Sequence, residues 1–314
     1  MVSLVVGDDR LLVTTRKDLP PTAEACTDPG YRSAVWELMA RIAENGSEAL
    51  LVGYGPADRV EPAAALYTEA STAAGLRIGR VLRVDEGRFY CLTEGCRECP
   101  AEGTPYDPAA SPLPAAATFH GMVALPGRES LAELIAPVTG PERARMTTAS
   151  ETAIDRLSAL LPIPSPGQNA LPSVPAEILS TGIAAVDAAL QAAAAGRTLS
   201  DDEVAWLSAV LLFLSIRDHA WAACDGSTAQ RELWADVTRR AEPRLAAAPA
   251  SLLALTAYLG GDGALARVAL DRALSAEPNY RMALLLSTAL DASIHPDTLR
   301  RFDASPDQPH LSES

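Results

Sequence analysis

Ala49-Leu50-Leu51-Val52-Gly53-Tyr54-Gly55-Pro56 is the stretch on which the fold turns. An apolar run of four residues closed by glycine is too short for a helix and reads as a buried strand. The segments on either side of it have helical spacing. Upstream, Asp28-Pro29 reads as an N-cap followed by proline at the first helical position. Ala34, Val35, Leu38, Met39 and Ile42 then repeat at helical intervals until Asn45-Gly46 ends the helix. Downstream, Glu61 to Ala74 reads as a second helix, closed by Gly75. Farther out, Leu4-Val5-Val6 and Leu11-Leu12-Val13 flank the turn-rich Gly7-Asp8-Asp9 and predict a hairpin. Leu76 to Val84 and Arg88 to Leu92 predict two strands joined through Asp85-Glu86-Gly87. This order implies a sheet with helices packed on it.

Beyond residue 99 the pattern changes. Five prolines between Pro100 and Pro114 mark a loop, and five more between Pro162 and Pro175 mark a linker, where limited proteolysis is expected to cut first. Ser200-Asp201-Asp202-Glu203 is a capping box, with Leu199 and Val204 placed as its hydrophobic staple. The helix it opens is apolar nearly all round, through Trp206, Leu207, Val210, Leu211, Phe213 and Leu214, as befits the centre of a bundle. The expected fold class is therefore α+β: a small α/β sheet domain over residues 1–124, a helical connection over 125–161, the linker over 162–176 and an α-helical, repeat-like bundle over 177–314. Within that bundle, Leu245 to Asn279 is similar to a tetratricopeptide hairpin. Ala254, Ala266, Ala273 and Pro278 fall where that motif places its small residues and its proline, because small side chains let two helices approach closely. A plain helical hairpin gives the same pattern, and only one good copy is visible.

Charge and composition bound the partners. The net charge is −14, the pI about 4.7, and Lys17 is the only lysine. Such a chain lacks the basic face that neutralises phosphates, so no nucleic-acid partner is expected, and no anionic membrane surface. No apolar run reaches the roughly 18–20 residues of a membrane span. The start, MVSLVVGDDR, lacks the basic and apolar regions of a signal peptide. The expected setting is the cytoplasm, where the five cysteines stay thiols or metal ligands.

The constellation with most chemistry is Cys91-Leu92-Thr93-Glu94-Gly95-Cys96-Arg97-Glu98-Cys99-Pro100. A turn can fold three thiols this close in sequence onto one centre. Zinc would need a fourth ligand, from His120, Cys26, Cys224 or a carboxylate such as Glu94, Glu98 or Glu102. An iron–sulfur loop would need a fourth cysteine downstream. Redox thiols are a third reading. The plainest has Cys91 pointing into the core while Cys96 and Cys99 decorate an exposed turn. A second expected site, for a small ligand, joins Tyr54 and Gly55 at the end of the buried strand with Arg128; a tight strand-to-helix turn explains the same glycines without a ligand. Arg217-Asp218-His219 reads as a buried Arg–Asp contact between helices.

Taken in order, Leu51–Pro56, the Cys91–Pro100 cluster running into Glu102-Gly103-Thr104-Pro105, Leu125–Glu129, Arg217-Asp218 and Ala248–Tyr280 resemble the actinobacterial family catalogued as domain of unknown function 4192. The resemblance covers nearly the whole chain. It implies lineage and a cytoplasmic protein rather than a mechanism. Relatives of that kind carry a helical segment before the position of Ser3-Leu4-Val5, so the first helix is expected to be lost or the start to lie upstream. They often carry adjacent cysteines near Cys99, where Arg97 and Glu98 stand here. The function expected from the whole is a non-catalytic interaction or regulatory protein with a protein partner on its C-terminal helices. The alternative is an enzyme or ligand-binding protein that uses the sheet domain, with metal at the cysteines.

Overall fold

The computed structural model describes residues 1–7, 10–107, 110–111, 128–162, 174–294, 296 and 298–299. The chain divides into two compact units, Met1–Val123 and Ala124–Ser314. The fold is α+β as expected, a mixed sheet followed by helices.

Among its described residues the first unit carries six strands, β1 (Val2–Gly7), β2 (Arg10–Arg16), β3 (Glu48–Tyr54), β4 (Arg77–Asp85), β5 (Arg88–Cys91) and β6 (Thr104–Pro105), in the order β2-β1-β3-β4-β5-β6. Only β3 and β4 run parallel, and helix α2 (Ala57–Ala73) makes the crossover between them. Helix α1 (Pro29–Ala43) joins β2 to β3. Asp28 caps α1 by accepting from the Tyr31 N–H at 2.8 Å. Alternation along β3 turns Ala49, Leu51 and Gly53 inward, where they meet a core of Val35, Met39, Ile42, Val60, Ala63 and Tyr67. Gly53 is required by packing: a Cβ there would overlap Val60 Cγ1 of α2. Gly55, with φ of +130°, turns the chain from strand to helix while its N–H bonds the Val84 carbonyl at 2.9 Å. The tight β4–β5 turn places Glu86 and Gly87 at positive φ, the backbone that a two-residue hairpin demands. Helix α2 begins four residues ahead of the sequence expectation, because Pro62 falls in its second turn, where it removes a single ladder bond. The Pro100–Pro114 loop is not wholly irregular either, since Thr104–Pro105 pairs with Arg88 and Phe89 at the sheet edge.

The second unit holds nine helices among the described residues: α3 (Arg128–Leu134), α4 (Gly140–Leu160), α5 (Ala176–Ala194), α6 (Asp201–Val210), α7 (Leu214–Ala222), α8 (Thr228–Arg240), α9 (Ala247–Leu259), α10 (Gly263–Ala276) and α11 (Arg281–Asp291). One apolar core runs through them, and Met146, Ala149, Ala153 and Leu157 of α4 belong to it. The segment expected as a helical connection thus packs as part of this unit. Most of the proline-rich linker lies outside the described residues.

The capping box is formed in both directions. The Glu203 N–H donates to Ser200 Oγ at 3.2 Å, and the Ser200 N–H donates to Glu203 Oε2 at 2.7 Å. The helix it opens is shorter than expected. It stops at Val210 and the chain bends by 110° into α7, which leaves Leu212 and Leu214 exposed. The bend sets Ile216 of α7 against Gly182 of α5, where a Cβ would overlap Ile216 Cδ1. No single helix among the described residues is long and apolar enough to cross a membrane. In the α9–α10 hairpin, Ala254, Ala266 and Ala273 are all buried where the two helices pack.

Candidate metal centre

The antiparallel β4–β5 register sets Cys91 opposite Leu82, which places its side chain on the sheet face that Arg80 also occupies. This face is opposite to the one packed on α1 and α2, where Val81 and Arg83 are buried. Cys91 therefore does not enter the core, in contrast to the plainest sequence reading. Its neighbour Leu92 does pack on the core and anchors the chain there, with its N–H on the Val81 carbonyl at 2.7 Å. Thr93 Oγ1 accepts from the Val81 N–H at 2.9 Å. The Cys96 N–H returns to the Thr93 carbonyl at 3.2 Å, a turn for which Gly95 supplies positive φ. Farther along, Arg88 Nη1 donates to the carbonyls of Glu102 and Gly103 at 3.0 and 2.8 Å and pins the far end of the loop.

This folding brings the sulfurs of Cys91, Cys96 and Cys99 within 4.8 Å of one another. Arg80 stands over them, its Nη1 at 3.9, 3.7 and 3.8 Å from the three in that order. Its Nη2 faces Glu98 at 3.8 Å. The three thiols are unequal. Burial works against ionising Cys91 but is outweighed by hydrogen bonds from the Thr93 hydroxyl and N–H, from Cys96 and from Arg80, which bring it down to about 7. Cys99, hydrogen-bonded to Cys96, partly desolvated and beside Cys91, is pushed up to about 11. Cys91 thus becomes thiolate, the form that binds metal, before Cys99 does.

Three thiols around one point can hold a metal ion. Among the described residues no fourth His, Cys, Asp or Glu joins them. Cys26 is buried in the core of the first unit, with burial raising its pKa, and Cys224 belongs to the second unit, its thiol on the Ala220 carbonyl at 3.4 Å. His120 lies outside the described residues. Glu94 and Glu102 stay apart from the trio, while Glu98 reaches it only through Arg80.

The expected ligand site has a different fate. Tyr54 is 60% exposed at the C-terminal end of β3. Strand register pairs Tyr54 with Val84 and Cys91 with Leu82, so Tyr54 and Cys91 stand two residues apart along the sheet and two strands apart across it, roughly 12 Å in all. Arg128 opens α3 in the other unit, and its side chain lies outside the described residues. Two shallow hollows among the described residues lie in the helical unit and include none of these residues. One, of about 360 Å³, is lined by alanines of α5 with Trp206 and Arg156; the other, of about 320 Å³, by Trp221, Cys224 and Leu255 among others.

The family model described as Domain of unknown function (DUF4192) matches residues 1–297. The chain belongs to this family. No curated protein and no solved structure matches it. The match to DUF4192 spans residues of both units.

Two groupings were not legible in the sequence of this DUF4192 chain. Arg80 comes to the cysteines only through the strand register. His219 Nε2 meets Asp187 Oδ1 at 2.7 Å between α7 and α5. Arg217 does pair with Asp218, at 2.6 Å, but around the surface of its own helix and not between helices.

Proposed function

We propose that this protein is a non-catalytic interaction or regulatory protein whose sheet unit is held by a metal at Cys91, Cys96 and Cys99. The observation that carries the reading is the convergence of three sulfurs within 4.8 Å beneath one guanidinium. Zinc is the first ion to test, with solvent or Glu98 as its fourth donor. Such an ion would fasten the end of β5 to the loop that leads into β6, the least regular part of the sheet. A reducing cytoplasmic setting belongs to this reading, since adjacent free thiols persist there.

The interaction half of the proposal rests on the helical unit. Its α9–α10 hairpin has the small buried residues of a tetratricopeptide-like pair. On the neighbouring α11, Leu284 and Leu285 stand exposed, at 43% and 67%, available to a protein partner. The metal half is tested by counting reactive thiols during titration with zinc. One equivalent per chain should shield three of the five thiols; five thiols reacting at rates that neither zinc nor any other thiophilic ion changes would overturn it.

A further inference from the structure

We propose that the thiol trio is built for a three-coordinate, soft, monovalent ion, Cu(I), and that Arg80 sets this preference. The proposal rests on the reading that the trio holds a metal. Three observations carry it.

The first is the donor set. All three ligands are thiolate sulfurs, which suit soft ions, and among the described residues no fourth side chain joins them. The second is geometry. Three sulfurs within 4.8 Å of one another lie no farther than about 2.8 Å from their common centre, so Arg80 Nη1, some 3.8 Å from each, stands roughly 2.6 Å or more out of their plane. Arg80 thereby covers one of the two faces from which a fourth ligand of a tetrahedral zinc could approach. An ion lying in the plane of the sulfurs needs no such ligand and leaves Arg80 where it stands. Only a small contraction of the sulfurs is required, to separations of about 4 Å, given metal–sulfur bonds of about 2.3 Å.

The third is charge. Three thiolates with Cu(I) carry two net negative charges, and with zinc only one. A guanidinium a few ångströms away, although half exposed, therefore stabilises the copper complex more than the zinc complex. Arg80 is not committed elsewhere to a strong partner, since its one carboxylate contact, to Glu98, is at 3.8 Å. It is a positioning and selectivity residue that contributes no bond to the metal.

The test uses the full chain and the variants Arg80→Gln and Arg80→Lys, with Cu(I) and zinc each competed against a chromophoric chelator. X-ray absorption on the Cu(I)-loaded chain should show three sulfurs and no oxygen or nitrogen neighbour. Arg80→Gln should weaken Cu(I) by about tenfold and zinc by no more than about threefold, while Arg80→Lys, which keeps the charge, should restore most of the difference. Circular dichroism of both variants checks that the fold is kept. If neither ion binds the wild-type chain, the metal reading falls and this proposal with it. If both bind but Arg80→Gln weakens them by equal factors, or copper shows a fourth ligand, the metal reading stands and the proposal is overturned.

Discussion

The two units of this chain treat their polar groups in opposite ways. The helical unit buries its polar side chains singly within an apolar interior, as it does Ser208, Thr238, Ser251 and Thr256. Trp234, Leu207, Leu252 and Ile216 are fully buried, and its main ionic contacts sit at helix ends, as when Arg240 joins Asp201 at 2.5 Å, Asp236 at 2.9 Å and the Leu199 carbonyl at 2.8 Å. The sheet unit covers one face of its strands with α1 and α2 and leaves thiols, Arg80 and Tyr54 on the other. The cysteines follow suit. Cys26, inside the sheet unit's core, is pushed up by burial and is inert, while Cys91, on the open face, is held near neutrality. Chemistry in this protein collects where packing is thin and the backbone register brings side chains together.

The sharpest way to break this comparison is to damage one unit and watch the other. Trp234→Ala should cost the helical unit about 3–5 kcal/mol, seen as a lowered thermal midpoint, because a fully buried ring leaves a cavity. Thiol protection by metal in the sheet unit should persist below the new midpoint. Loss of both together would show that the units do not keep separate cores.

Paired glycine substitutions come next. At Gly53 a Cβ would collide with the branched, stiff Val60 where α2 lies on β3, so Gly53→Ala should cost about 1–3 kcal/mol by denaturant unfolding. At Gly182 the obstacle is first the far end of Ile216, which can give, and alanine gains about 1 kcal/mol of helix propensity over glycine. Gly182→Ala should therefore be much milder. Equal losses at the two sites would mean that the helical core is as rigid at α5 as the sheet is at β3.

A smaller effect belongs to the capping box. The Arg197 guanidinium and then the Ser200 N–H hold Glu203 down at about 2, below its usual 4.5. A depressed carboxyl stabilises the fold above its unfolded pKa, and that contribution drains away as pH falls from about 4.5 towards 2. Glu203→Gln should remove about 0.5–1 kcal/mol at pH 7, kept small by solvent around the exposed pair, and should flatten the acid limb of the stability curve. Smallest of all for stability is the pair Leu284→Ser and Leu285→Ser, expected within about 0.5 kcal/mol of wild type. These two should nevertheless abolish capture of a protein partner from native lysate if α11 is its docking face.

How much of this could be read from the chain depended on the range of each interaction. The capping box, the Asp28 cap and the Glu86-Gly87 turn are local, spanning three or four residues, and the sequence displays them openly. The closeness of Cys91, Cys96 and Cys99 was legible for the same reason. Arg80 was not, because it reaches the thiols through the pairing of β4 with β5, which no short motif encodes. The bend between α6 and α7 was equally hidden: Leu211-Leu212-Phe213 holds no glycine or proline, and the contact that follows it, Ile216 on Gly182, is made far away in sequence. The membership of α4 in the helical core depends likewise on long-range packing rather than on its own composition.

The central claim is that the three thiols hold one metal ion. The most direct measurement is the elemental content of the chain purified from its native host without added metal or chelator, set beside that of Cys96→Ser. The account predicts zinc or copper at about one equivalent per chain in the wild type and little in the variant. A metal-free wild-type chain, with all three thiols titrating freely, would contradict it.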